Sequence, residues 1–271
     1  MQTGPLFWRR DLANSNVDQV ALASSRRSLF NMQNCMDRAL PDVLENFATD
    51  IWIADGTEVA VAGFVYPTRC AVIRLGRNDL LVWSPVSLTP ALRGQIDALG
   101  IVTHLIAPNS FHHLFLAQWQ DAYPDARLFG TPALQQKRQD LHFAGTLGDA
   151  PDPAWATQLD QIVVTHKLTT EVVFFHKPSQ TVIFTDLIQQ FPRNWHKGWR
   201  KIVATLDLMV GETPNVPRKF RMGVDRKRQA RATIGRILDW PIDRIILAHG
   251  QPVRQNGRAV LGKAFRWLLK P

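Results

Sequence analysis

Residues 101–115 read IVTHLIAPNSFHHLF, an apolar run that ends at Pro108 and turns at once into Asn109, Ser110 and the paired His112 and His113. Two later stretches repeat the layout, TVIFTDLI at 181–188 and RIILAHG at 244–250. Short apolar runs rich in β-branched residues and bounded by turn formers read as buried strands. Each stretch therefore delivers an ionisable group just past the carboxyl end of a strand. In layered α/β folds the loops at those ends bring together side chains from distant sequence, and ligands bind there. The pattern predicts an α/β protein in which His112, His113, Asp186 and His249 can converge. Imidazole nitrogen and carboxylate oxygen together suit zinc, iron or manganese.

Working outward, IWIAD (51–55), CAVIRL (70–75) and DLLVWS (79–84), separated by turn signals such as GRND, read as a strand meander. LTPALRGQIDALG (88–100) reads as a short amphipathic helix capped by Thr89, with Pro90 at its first position and Gly100 as its stop. A helix is expected to start at Asn109 or Ser110 and run through Tyr123, placing His112 and His113 at a strand-to-helix junction. ARLFGTP is a further strand, ALQQKRQDL a polar helix, and GTLGDAPDPAW (145–155) a loop. The strands DQIVVTHKL, EVVFFHKP and TVIFTDLI follow, the last two joined by a hairpin turn at Lys177 to Gln180. Residues 195–210 are expected to be helical, 211–219 a turn, 225–240 an amphipathic helix and 259–269 a closing helix.

The chain has 271 residues, 45% of them hydrophobic, with nine Trp, enough for one large packed domain. No apolar run reaches the roughly 18 to 20 residues that cross a bilayer, so no integral membrane association is expected. Residues 1–40 are expected to be a flexible or loosely docked leader, with organelle targeting left open, and residues 41–271 the domain. Cys35 and Cys70 are too few for a disulfide framework or a cysteine zinc site. A cytoplasmic or other reducing compartment is the expectation. Between Arg193 and Arg236 stand twelve Lys or Arg against three acids, which accounts for the whole surplus of +9. Such a segment either forms a solvated face or attracts anions, nucleic acid included. No GxSxG, GxxxxGK[ST] or GxGxxG motif is present, which excludes the serine-hydrolase elbow, P-loop and Rossmann readings.

From about Asp50 to His249 the order of elements resembles the metallo-β-lactamase superfamily. The segments PNSFHHLF, EVVFFHKP, FTDLIQ and ILAHG are similar to a domain-of-unknown-function family within it. The resemblance implies a four-layer αββα sandwich and a two-metal centre fed by an HxHxDH loop, a later His, a bridging Asp and a final His. Asp186 falls on the bridging Asp and His249 on the final His. The HxHxDH loop is degenerate: Pro108 and Ser110 replace its first two histidines, His112 replaces its Asp, and His113 keeps its last His. The later His falls near Lys167 or Leu168, with His166 slightly out of place. The first metal site has thus lost its ligands, and the second becomes His112, His113, Asp186 and His249 around one divalent metal, zinc foremost.

Each residue also has a plainer reading. His112 and His113 can be a helix start, Asp186 an N-cap, and His249 a turn histidine. Glu171, before a buried strand, is an extra ligand, a carboxylate orienting an imidazole, or a solvent-facing group. His166 and His176 read as packing or surface residues, and His104 as a core or sheet-edge histidine. The functional expectation is a metal-dependent hydrolase of a small-molecule or anionic ester, thioester, lactone or phosphodiester, with Asp186 or Glu171 as general base. The alternatives are a non-catalytic protein with a structural or vestigial metal, and an anion- or nucleic-acid-binding module. The sequence leaves the oligomeric state open.

Overall fold

The computed structural model describes residues 43–269; the leader expected at 1–40 and Cys35 lie outside them. Within these residues the strands β1 (Glu45–Ala48), β2 (Ile51–Val61), β3 (Phe64–Leu75), β4 (Asp79–Trp83), β5 (Ile101–Ala107), β6 (Arg127–Gly130) and β7 (Phe143–Thr146) form one sheet in that order. A second sheet, in the order β11-β10-β9-β8, holds β8 (Leu159–Thr165), β9 (Thr170–His176), β10 (Thr181–Phe184) and β11 (Arg244–Leu247). The helices are α1 (Pro90–Leu99), α2 (Leu116–Ala122), α3 (Pro132–Lys137), α4 (Trp199–Leu206), α5 (Arg218–Met222), α6 (Lys227–Leu238), α7 (Gly257–Ala264) and α8 (Arg266–Leu269).

The continuous apolar strands explain the layering. Successive side chains of a strand point to opposite faces, so a strand apolar at every position must be covered on both. In β4, Leu80 and Val82 pack with Leu92 and Ile96 of α1, while Leu81 and Trp83 turn inward to meet Phe174, Ile183 and Ile246 of the second sheet. In β10, Ile183 faces that shared core and Val182 and Phe184 face Ile234 and Ile237 of α6. The result is the αββα sandwich expected. β4, β5, β6 and β7 pair in parallel, as do β10 and β11, so β4, β5, β10 and β11 carry the site-forming loops at their carboxyl ends.

α1 matches its sequence signals: Thr89 Oγ1 accepts the Leu92 N–H at 3.2 Å and Pro90 opens the helix. Elsewhere the structure differs from expectation for identifiable reasons. The helix after β5 starts only at Leu116, because Asn109 Oδ1 accepts the N–H groups of Phe111 and His112 and holds 109–112 in a side-chain-closed turn. β7 occupies part of the expected 145–155 loop; Gly145 permits it, since a Cβ there would lie 2.5 Å from the Phe129 ring. α4 is shorter than the expected 195–210 helix. α5 begins inside the expected 211–219 turn, where Asp207 accepts Arg218 N–H through its carbonyl and Lys219 N–H through Oδ1. β2 and β3 form a much longer hairpin than IWIAD and CAVIRL implied, with a pairing irregularity between Gly56 and Val59 that absorbs the polar interruption.

Candidate functional site

Three loop residues converge. His112 Nε2 lies 3.4 Å from Asp186 Oδ2, and His249 Nε2 lies 3.3 Å from Asp186 Oδ1. One donor atom from each of the three residues fits within a 4.8 Å group, the only such cluster among the described residues. All three are nearly buried and border a cavity of about 410 Å³.

Each residue is held from behind. His249 Nδ1 is 2.7 Å from the carbonyl oxygen of Pro67 on β3. A carbonyl only accepts, so Nδ1 carries the hydrogen, and Nε2 is the ring nitrogen turned to Asp186. The carbonyls on either side of His249, those of Leu247 and Gly250, accept from the buried Arg69, whose Nε donates to Asp55. His112 Nδ1 meets Ser84 Oγ at 2.7 Å, and Ser84 adopts a left-handed φ of 52° at the end of β4. Asn109, fully buried, donates through Nδ2 to Asp186 Oδ2 at 2.7 Å and to Thr185 Oγ1 at 2.9 Å, while its Oδ1 fixes the backbone of His112. One amide thus positions two of the three residues.

Burial holds the His112 ring below its ordinary pKa, against the opposing pull of Asp186, so it is neutral at pH 7. Burial alone would raise the Asp186 carboxyl, but the two rings against its oxygens outweigh it and hold the group well below the usual range. The carboxylate therefore faces Nε2 of His112 at 3.4 Å and Nε2 of His249 at 3.3 Å. Tetrahedral ligands at the roughly 2.1 Å typical of zinc sit ~3.4 Å apart, which is the spacing seen on both sides of Asp186. The His-His-Asp cluster fits a divalent metal.

His113 and Glu171 are not brought into this cluster. Arg138 Nη1 donates to His113 Nδ1 at 3.1 Å and to its carbonyl at 2.9 Å. Since Arg has no lone pair to offer, Nδ1 is the acceptor and the neutral ring keeps its hydrogen on Nε2, leaving no free ligand atom. Burial, reinforced by Lys137 and Arg138, keeps that ring neutral. Glu171 accepts three main-chain N–H groups, Thr185 on Oε1 and Asp186 and Leu187 on Oε2, at 2.7 to 2.9 Å. Burial and the neighbouring Asp186 raise its pKa to about 7 against those N–H contacts. It pins the turn that carries Asp186. His166 packs edge-on against Phe220, His176 is buried against Ser179, and His104 lies in the core beside Trp155.

The cavity walls are largely apolar, with Val59, Val61, Tyr66, Phe111, Leu114 and Phe220 among them, and Lys137 and Lys219 are the lysines on its lining. Lys137 Nζ donates to the Ser110 carbonyl, and Lys219 Nζ donates to Tyr66 OH and lies 3.6 Å from Asp207. Asn109, Ser84 and Arg69 escaped the sequence reading as site residues. Asn109 alone left a trace there, as a candidate cap between a strand and the histidines.

A family model described as a domain of unknown function, DUF4336, matches residues 49–197, more than half of the chain. No curated protein matches the sequence. Solved structures share the fold at low identity. A metallo-β-lactamase from Pontibacter korlensis superposes with a TM-score of 0.56 at 9% identity, covering 84% of this chain and 99% of that one. The metallo-β-lactamase FIM-1 from Pseudomonas aeruginosa, in its mono-zinc form, gives 0.55 at 7%, covering 86% and 99%. The Flv1 flavodiiron core from Synechocystis, metal soaked, gives 0.56 at 12%, covering 83% and 60%. The chain shares the fold of these metallo-β-lactamases. No helix of the described residues is long and apolar enough to cross a membrane.

Proposed function

The chain belongs to the DUF4336 family, and from that premise we propose that it is a single-metal hydrolase acting on a small apolar molecule that carries an anionic group. The observation that carries the reading is the three-ligand cluster of His112, Asp186 and His249 on the wall of a cavity. Structural zinc sites are closed by four protein ligands, whereas catalytic sites keep three and leave a position open. The candidate fourth ligand, His113, has its acceptor nitrogen occupied by Arg138, which disfavours the non-catalytic alternative.

His112 Nε2, His249 Nε2 and the Asp186 carboxylate are the groups that would hold the ion. When bound, a divalent cation acidifies water and polarises a carbonyl or phosphoryl oxygen. Asn109 and Ser84 keep the donors aimed, so little reorganisation is needed on binding. The apolar walls hold the body of the substrate and exclude bulk water, while Lys137 and Lys219 attract its anionic end. Asp186 is the carboxylate that borders the cavity and is the proton acceptor. Its low proton affinity makes it a weak base, and orientation is its larger contribution. Glu171 acts through Asp186 by fixing its backbone. Esters, thioesters, lactones and phosphodiesters of that size and charge are the substrate classes.

Metal analysis of purified protein tests the reading. Wild type is expected to carry one equivalent of transition metal, His249→Ala to lose at least 90% of it, and His113→Ala to keep it. Hydrolysis of anionic aryl esters should fall with chelation and return with zinc, iron or manganese. Wild type that stays metal-free after refolding with each of these ions would overturn the proposal.

A further inference from the structure

α4 is inside out. Its apolar residues Trp199, Ile202, Val203 and Leu206 recur at i, i+3, i+4 and i+7, the spacing of a single stripe that in a globular protein faces the core. Here that stripe faces water: the four residues are 57%, 64%, 42% and 59% exposed, and Ala204 on the far side is the one buried residue of the helix. An eight-residue helix is too short to be stable on its own, so its outward apolar face is maintained by contacts at its edges. Arg200 Nε donates to the Gly63 carbonyl at the tip of the β2–β3 hairpin, and Phe64 meets Trp199 edge-to-face at 5.7 Å.

Along the helix and the segment before it the charge has one sign, and Asp207 at the helix's carboxyl end is engaged by Lys219. From Leu187 to Leu206 there is no acidic residue, and Arg193, Lys197, Arg200 and Lys201 lie on or just before the helix. Lys197 and Lys201 are exposed without an acidic partner among the described residues, and only Arg193 has one, a solvent-exposed contact with Glu212. An apolar stripe with Trp at its edge, bracketed by Lys and Arg, matches a surface that lies in the headgroup region of a membrane and draws in anionic lipid. A second copy is a poorer fit, because a two-fold contact sets these cations against their own duplicates. The leader is a poorer fit as well, since residues 1–40 carry five Arg against three Asp.

We propose that α4 and the adjoining hairpin tip form a docking surface for a bilayer rich in anionic phospholipid. The hairpin links this surface to the cavity: exposed Val61, beside the tip, also lines the cavity wall. Docking of this kind leaves the chain peripheral, in keeping with the absence of a spanning helix among the described residues.

The test is sedimentation of the full chain with vesicles of phosphatidylcholine alone and of phosphatidylcholine with 30 to 40% (about a third) phosphatidylglycerol, at low and high salt. Wild type is expected to partition at least tenfold more strongly onto the anionic vesicles and to be released by salt. An Ile202→Ser/Leu206→Ser variant should lose that partitioning at least tenfold with an unchanged circular-dichroism spectrum, and Lys197→Gln/Lys201→Gln should lose it partially while keeping its fold. Wild type that remains in the supernatant with anionic vesicles overturns the proposal, as does a serine variant that binds them equally well. A wild-type dimer that the serine variant converts to monomer, with no vesicle binding by either, assigns the face to a second copy and also overturns it.

Discussion

The smallest unit that decides this site is one amide. Asn109 joins the β5 loop to the β10 turn by bonding His112 N–H on one side and the Asp186 carboxylate on the other. Removing it frees two main-chain N–H groups and lets Asp186 rotate away from His112. Loss of a group that orients a ligand typically costs 10 to 100-fold in metal affinity. Asn109→Ala is therefore expected to weaken metal binding roughly tenfold or more in competition with a chromophoric chelator, with a smaller effect from Ser84→Ala. Unchanged affinity would show that the two loops are held by the sheets alone. The candidate residues His112, Asp186 and His249 stood out in the sequence because each follows an apolar run bounded by turn formers. Asn109, Ser84 and Arg69 were not, because each is an ordinary loop or strand residue until the fold supplies its partner. His113 shows the converse: its position in the motif is kept, yet Arg138, 25 residues away, takes its nitrogen.

At the level of elements, the junction after β11 is the most constrained. Gly250 has φ of 148°, and a Cβ there would lie 2.4 Å from the Gln190 carbonyl oxygen, with Gln190 N–H in turn bonded to the His249 carbonyl. Neither the backbone conformation nor the space admits a side chain. Gly250→Ala should lower unfolding free energy by about 3 kcal/mol, read from the urea midpoint, and displace His249 enough to reduce metal occupancy. A midpoint within about 0.5 kcal/mol of wild type would mean the loop can move aside. Strand identity was the easiest feature to read, since β4, β5, β10 and β11 each end in an apolar run, LLVW, LIA, VIF and IIL. Strand length was harder: the outer half of the β2–β3 hairpin is mixed in polarity because it stands clear of the core, and that half supplies Val59 and Val61 to the cavity. The orientation of α4 was beyond the sequence, whose periodicity gives a stripe and no direction for it.

Across the whole molecule, buried ionisable groups set the response to acid. Burial lowers the pKa of His166 and of His176 to about 4, and raises that of Glu171 to about 7. For each ring the folded value lies below the unfolded 6.5, so its contribution is complete above that pH and is lost as pH falls towards 4. At about 1.4 kcal/mol per pH unit this is on the order of 3 kcal/mol per ring. Glu171 has the opposite sign, gaining stability as pH falls from 7 to 4.5, and offsets about one ring. A net loss of about 3 kcal/mol is expected between pH 6.5 and 4.5, seen as a falling urea midpoint, with little change from pH 8 to 7. A midpoint that stays level across the acidic range would contradict the assignment.

The sequence by itself determined which segments are buried strands and which loops follow their carboxyl ends, because apolar runs bounded by turn formers must be covered on both faces; the four-layer arrangement was implied by the family resemblance. The tertiary structure alone decided that His112, Asp186 and His249 meet while His113 turns to Arg138, that Glu171 holds a turn, and that the α4 stripe looks outward. Those outcomes depend on partners distant along the chain, as Ser84 is from His112, Asn109 from Asp186 and Pro67 from His249. Hydrogen-bond geometry over a few ångströms is fixed only when the sheets have packed.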